Sequence, residues 1–181
     1  CGLIVYGVAT TEGEAGAIGQ GAGDAEALRI LRQRLGDGVR FEGIGGRAMA
    51  REGLESLFPI EELSIIGIAA VVRDLPKILG LIKETAIAVT EAAPDILVII
   101  DSPDFTHRVA KRVRAIAPDI PIIDYVCPSV WAWRPWRAKS MRRYIDHVLA
   151  LLPFEPAALK RLGGPPCSFV GHPIGERVDL L

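Results

Sequence analysis

Asp95-Ile96-Leu97-Val98-Ile99-Ile100-Asp101-Ser102-Pro103-Asp104-Phe105 is the stretch that decides the fold. Its five consecutive apolar residues, mostly β-branched, read as a strand buried on both faces of a parallel sheet. The run stops at the Asp101 carboxylate, and Pro103 bars Ser102 from the helical region, so a sharp turn comes next. Open parallel sheets bind ligands outside the carboxyl ends of their strands, and Asp101 falls at such an end. Two readings stand at this point: Asp101 belongs to a site, or it caps the next helix, a position that favours Asp.

Working outward, Leu3 to Val8 reads as a first strand, followed by a loop from Thr10 to Gly23 with glycines at 13, 16, 19, 21 and 23. Such a loop lets backbone amides approach an anion. Gly19-x-Gly21-x-x-Asp24 is not the dinucleotide fingerprint, whose last position is Gly or Ala. Asp24 to Leu35 reads as an amphipathic helix, Val39 to Ile44 as a strand ended by Gly45-Gly46, and a connecting helix with Met49 and Leu54 comes after it. Ile65, Ile68, Val72, Leu75, Leu79 and Ile82 then recur at spacings of three and four, with further apolar residues left over for a second face. That second face is either buried in protein or forms an exposed patch against acyl chains or a membrane surface. Pro76 suits a helix's first turn, which predicts two helical pieces here.

Beyond the central strand, Phe105 to Ile116 reads as a helix with Phe105, Val109, Val113 and Ile116 inward; Arg108, Lys111, Arg112 and Arg114 face out, and His107 is placed on the polar side. Pro121 to Val126 is a strand that delivers Cys127 to Trp136, where all three tryptophans of the chain lie. Arg134, Arg137, Lys139, Arg142 and Arg143 come with no acid before Asp146. Aromatic and basic interleaving can stack on sugars and pair with phosphates, or it can be a solvated helix face over packed tryptophans. His147 to Leu152 is a strand, Glu155 to Leu162 a helix, and Cys167 to Val170 a last strand ending at Gly171-His172-Pro173. The alternation predicts a doubly wound parallel α/β sheet. Its carboxyl edge would collect Glu14, Asp101, Asp104, Ser129, Trp131, Arg134, Glu155 and His172.

Composition bounds the function. The chain has 181 residues, half of them hydrophobic, enough for one domain with a sizeable core. A net charge of -1 gives no bulk attraction to nucleic acid. Three cysteines without a C-x-x-C pair argue against a disulfide scaffold or a zinc site, and no cluster calls for a metal or cofactor. No apolar run approaches the roughly 20 residues of a membrane span. A start at Cys1 and an end at Leu181 read as a fragment of a longer chain, with 1–181 a single Rossmann-like domain.

The ordered motifs are more specific. Gly43-Ile44-Gly45-Gly46, Glu61-Glu62-Leu63-Ser64-Ile65-Ile66-Gly67-Ile68, Ile100 to Phe105, Pro128-Ser129-Val130-Trp131-Ala132-Trp133-Arg134, Leu152-Pro153-Phe154-Glu155 and Phe169-Val170-Gly171-His172-Pro173 together closely resemble the lipid-A-disaccharide synthase family. The resemblance implies the acceptor-side half of a GT-B glycosyltransferase, joining UDP-2,3-diacylglucosamine to 2,3-diacylglucosamine 1-phosphate in lipid A synthesis. It also implies a peripheral protein on the cytoplasmic face of the inner membrane. Asp101 matches the family's catalytic aspartate; Gly13, Glu14, Asp104, Phe105, Ser129, Trp131, Trp133, Arg134, Glu155 and His172 are the expected substrate contacts. Arg134 and its basic neighbours are expected to hold the acceptor's 1-phosphate. Ala69, Val71, Val72, Leu75, Ile78 and Leu79 are implied in acyl-chain and membrane contact. The family's first loop, G-E-x-S-G-D, departs here to Gly13-Glu14-Ala15-Gly16-Ala17-Ile18. The resemblance also implies a nucleotide-sugar domain with a G-S-R motif that these 181 residues do not contain, so this half alone is expected to turn over nothing. The alternatives are another GT-B nucleotide-sugar enzyme, a non-catalytic membrane-surface module, or, less well matched, a dinucleotide-binding oxidoreductase. A homodimer is left open.

Overall fold

The structure is a computed structural model and describes residues 3–9, 28–29, 32–34, 36, 39–45, 47–58, 71–100 and 102–171. Its elements in chain order are β1 (Leu3–Ala9), β2 (Val39–Ile44), α1 (Arg47–Arg51), β3 (Glu55–Ser56), α2 (Val71–Ala92), β4 (Ile96–Ile100), α3 (Pro103–Ile116), β5 (Ile122–Tyr125), α4 (Val130–Trp133), α5 (Pro135–Met141), β6 (His147–Ala150), α6 (Glu155–Arg161) and β7 (Cys167–Phe169). Leu28, Arg29 and residues 32–34 are also helical. The seven strands form one sheet in the order β3-β2-β1-β4-β5-β6-β7, every pairing parallel.

β4 is the axis of this arrangement. Successive side chains of a strand point to opposite faces, and here they enter two different cores. Leu97 and Ile99, both fully buried, join Ile82 and Val89 of α2, Val109 and Val113 of α3 and Leu159 of α6. Ile100 joins Leu28, Val39, Phe41, Met49 and Leu54 on the other face, with Ile96 and Val98 packed against them. Full burial of one such side chain is worth about 1.5–3 kcal/mol. The doubly wound parallel sheet expected from the sequence is what this double burial produces.

Three local expectations are corrected. Pro76 lies inside α2, sixth of its residues, not in a first turn. It removes one ladder hydrogen bond, and the buried stripe Ile82, Ala86 and Val89 carries the helix past it. Ile116 is 59% exposed because α3 ends there, beyond the edge of the core. His107 is buried, not solvated: α3 lies alongside α2 and over the sheet, so its covered face is wider than one apolar stripe. The two-residue strand β3, which extends the sheet past β2, has no periodicity from which to read it.

Gly43 is locked by its neighbour. It pairs with Gly7 at φ 147°, and a Cβ built on it would lie 1.8 Å from the Gly7 carbonyl oxygen. The obstacle is backbone and cannot swing away. Gly43→Ala is therefore expected to cost at least as much as Leu97→Ala, about 2–5 kcal/mol, in urea unfolding; a Gly43→Ala protein of native stability would refute this packing.

Candidate functional site

The chain runs from β1 outward to β2 and β3, then crosses back to β4 and proceeds the other way. The switch point therefore lies between β1 and β4, whose last residues, Ala9 and Ile100, are register partners. A crevice at the carboxyl ends of such a pair is where open α/β sheets bind ligands. The sequence places the glycine-rich loop after Ala9 and Asp101 after Ile100. Gly13, Glu14, Asp101, His172 and Ala69 all lie outside the described residues.

The turns leaving β4 and β5 are strained. Ser102 has φ 41° and ψ 61°, and Val126 has φ 77°. Left-handed conformation costs a non-glycine residue about 1–2 kcal/mol, and for β-branched Val126 it is a marked outlier. Backbone hydrogen bonds hold both: the Ser102 carbonyl accepts from Phe105 N at 2.9 Å and Thr106 N at 3.1 Å, and Val126 N donates to Leu149 O at 3.1 Å. Such strain concentrates at functional sites.

A buried carboxylate ties the exits of β5 and β6 together. Glu155, 3% exposed, accepts the Trp131 indole N–H at 3.1 Å through Oε1 and the Leu152 amide at 2.9 Å through Oε2. A carboxylate withdrawn from water needs such donors. Phe154 meets the Trp131 ring edge-on at a centroid distance of 4.9 Å. Trp131 is thus fixed in orientation, while Trp133 is 62% exposed with the Arg134 guanidinium carbon 4.0 Å from its ring centre. Ser129 is exposed. Asp104 is exposed and lies 3.6 Å from Arg137 Nη1. Phe105 belongs to the main core, 5% exposed, with its ring turned away from solvent.

Neither described thiol suits a nucleophile. Burial, then the Glu155 charge, pushes Cys127 far above the ordinary thiol range. Cys167 is pushed up to about 11, first by burial and then by Glu155 and Asp124. Both stay protonated at neutral pH. Among the described residues no cluster of three His, Cys, Asp or Glu could hold a metal ion.

The profile of the family described as lipid-A-disaccharide synthetase matches residues 17–180. The chain belongs to that family. Among its curated relatives, the lipid-A-disaccharide synthase of Bradyrhizobium diazoefficiens is 71% identical over 154 residues, covering 85% of this chain and 39% of the relative. That of Ruegeria pomeroyi is 55% identical over 147 residues, 80% of this chain and 35% of the relative. That of Rhodospirillum centenum is 46% identical over 161 residues, 87% of this chain and 40% of the relative. The chain thus spans about 40% of the length of such synthases.

Within this family member, α2 exposes part of the expected apolar patch. Leu75 is 42% and Leu79 38% exposed, one turn apart, whereas Ile78 is packed against the core. Val71 and Val72 open α2, and their side chains are not among those described. No helix among the described residues is long and apolar enough to cross a membrane.

The sequence reading missed a second group. Between α3 and α5 lies a cavity of about 270 Å³, bordered by Asp104, Arg108, Lys111, Arg137, His107 and Tyr144. Beneath it, His107 Nδ1 is 3.2 Å from the Tyr144 hydroxyl and Nε2 is 3.2 Å from Oδ2 of buried Asp124. Facing that carboxylate, the favoured tautomer carries its proton on Nε2, so Nδ1 accepts from Tyr144. Burial first, then Asp124, raises the Tyr144 pKa, which keeps the phenol a donor. Asp124 was the available signal: a carboxylate inside an apolar strand must have partners.

Glu155→Gln tests the loop clamp. The amide has one acceptor oxygen where two donors converge, so either Trp131 or Leu152 faces an N–H. A loss of about 1–3 kcal/mol is expected, read by thermal unfolding; unchanged stability would remove Glu155 from this role.

Proposed function

We propose that the chain is the acceptor-side half of a GT-B glycosyltransferase of lipid A synthesis, transferring diacylglucosamine from UDP-2,3-diacylglucosamine to 2,3-diacylglucosamine 1-phosphate. What carries the reading is the switch point between β1 and β4, with a strained turn beside Asp101, in a member of the synthetase family. In this reading Asp101 is the general base. It takes the proton from an acceptor hydroxyl, the oxygen attacks the donor's anomeric carbon, the bond from that carbon to the diphosphate breaks, and UDP leaves with inversion. Trp131, held by Glu155, and Trp133 offer ring faces to the sugar, and Arg134 borders them. Gly13, Glu14, Ser129 and His172 remain proposed contacts on the same edge. A second domain, within a chain of the relatives' length, would carry the UDP-sugar.

A positioned base contributes about 10²–10⁴ in rate. Asp101→Asn in a family-length protein is expected to lose at least that factor in disaccharide formation; turnover near wild type would end the assignment.

The reading also places the protein peripherally on the cytoplasmic face of the inner membrane, with Leu75 and Leu79 meeting the acyl region. Both side chains are large, apolar and exposed one turn apart. Leu75→Ser/Leu79→Ser is expected to reduce flotation with phosphatidylglycerol liposomes severalfold while leaving unfolding unchanged. Equal flotation of variant and wild type would remove this surface from membrane contact.

A further inference from the structure

The α3–α5 cavity has a charge pattern that the core does not need. Arg108 and Lys111 project from α3 and Arg137 from α5 around one opening. Like charges gathered on a helical surface destabilise it, and here three cations share a border with one carboxylate, Asp104. Asp104 contacts Arg137 through a single nitrogen at 3.6 Å, and a guanidinium has five N–H donors. The Lys111 ammonium lies 4.9 Å from the centre of the Tyr144 ring, which also borders the cavity. A volume of about 270 Å³ is just below the roughly 300–1,000 Å³ of drug-sized sites. That suits a charged headgroup and excludes an acyl chain.

The cavity's position is as informative as its charge. It opens beside Pro103 and Pro128, the residues at the exits of β4 and β5. Arg108 is five residues along α3 from Pro103, about 7.5 Å at 1.5 Å per residue, the reach of a sugar with a phosphate attached. Arg134, the arginine expected to hold phosphate, is instead stacked on Trp133. An arginine fork together with a lysine point charge fits a phosphomonoester.

We propose that the cavity between α3 and α5 seats the phosphomonoester of the acceptor sugar, with Arg108, Lys111 and Arg137 as its ligands. This rests on the acceptor reading above and adds residues that the family motifs do not name. The ligand chemistry is that of a phosphate monoester on a hexose. Free phosphate and a lipid headgroup are its two competing sources.

Calorimetric titration of the full chain with glucosamine 1-phosphate, glucosamine, inorganic phosphate and phosphatidylglycerol vesicles separates them. Glucosamine 1-phosphate is expected to bind more tightly than glucosamine or inorganic phosphate. Arg108→Gln/Lys111→Gln is expected to weaken it about tenfold or more, Lys111→Arg to preserve it, and added salt to weaken it. Both replaced side chains lie on the surface, and circular dichroism checks that the fold is kept. Unchanged affinity in the double variant overturns the proposal. So does inorganic phosphate binding as tightly as the sugar phosphate, or vesicle binding that alone depends on these residues. The catalytic reading fails separately: an Asp101→Asn protein with full turnover would sink it while tenfold weaker binding in the double variant kept the cavity. Lost turnover in Asp101→Asn with unchanged binding in Arg108→Gln/Lys111→Gln would do the reverse.

Discussion

Burial of one strand on both sides is the constraint on which the rest of the molecule depends. β4 sends Leu97 and Ile99 into one core and Ile100 into the other. Neither set can be left in water, so helical layers must cover both faces of the sheet. With two faces covered and all strands parallel, crossovers run in both directions from the centre, and a switch point arises between β1 and β4. That switch point is thus a by-product of packing. Chemistry then depends on which residues come after the two strands.

At the described positions the strand exits form a rim under tension. Ser102 and Val126 adopt backbone conformations that their side chains disfavour, and the hydrogen bonds around them oppose relaxation. Glu155 supplies the opposite influence. By satisfying one donor from α4, which follows β5, and another from the turn after β6, it joins the two strand exits. Trp131 is consequently held in one orientation, whereas Trp133 is exposed with Arg134 stacked on its ring.

The sheet was legible because its signal is local. Five apolar residues ending at a carboxylate, and strands alternating with amphipathic helices, state a parallel α/β sheet without any knowledge of contacts. The ordered motifs likewise placed the chain in its family. Failures came where burial depends on a neighbour far along the chain. His107 sits among charged residues and looks solvent-facing, but Asp124 and Tyr144 lie over it in space. Pro76 looks like a helix start because its disruption is local, whereas the stripe that overrides it begins six residues later, at Ile82. The cationic border of the α3–α5 cavity joins residues about thirty positions apart, and no short motif contains them.

The sealed sulfur of Cys127 has a consequence of its own. A thiol this reluctant to ionise, buried within the loop after β5, is shielded from oxidants and alkylating reagents as long as the layer stays shut. Its chemistry is therefore coupled to breathing of the sheet's rim, and the rate at which it is consumed measures how often that part of the protein opens.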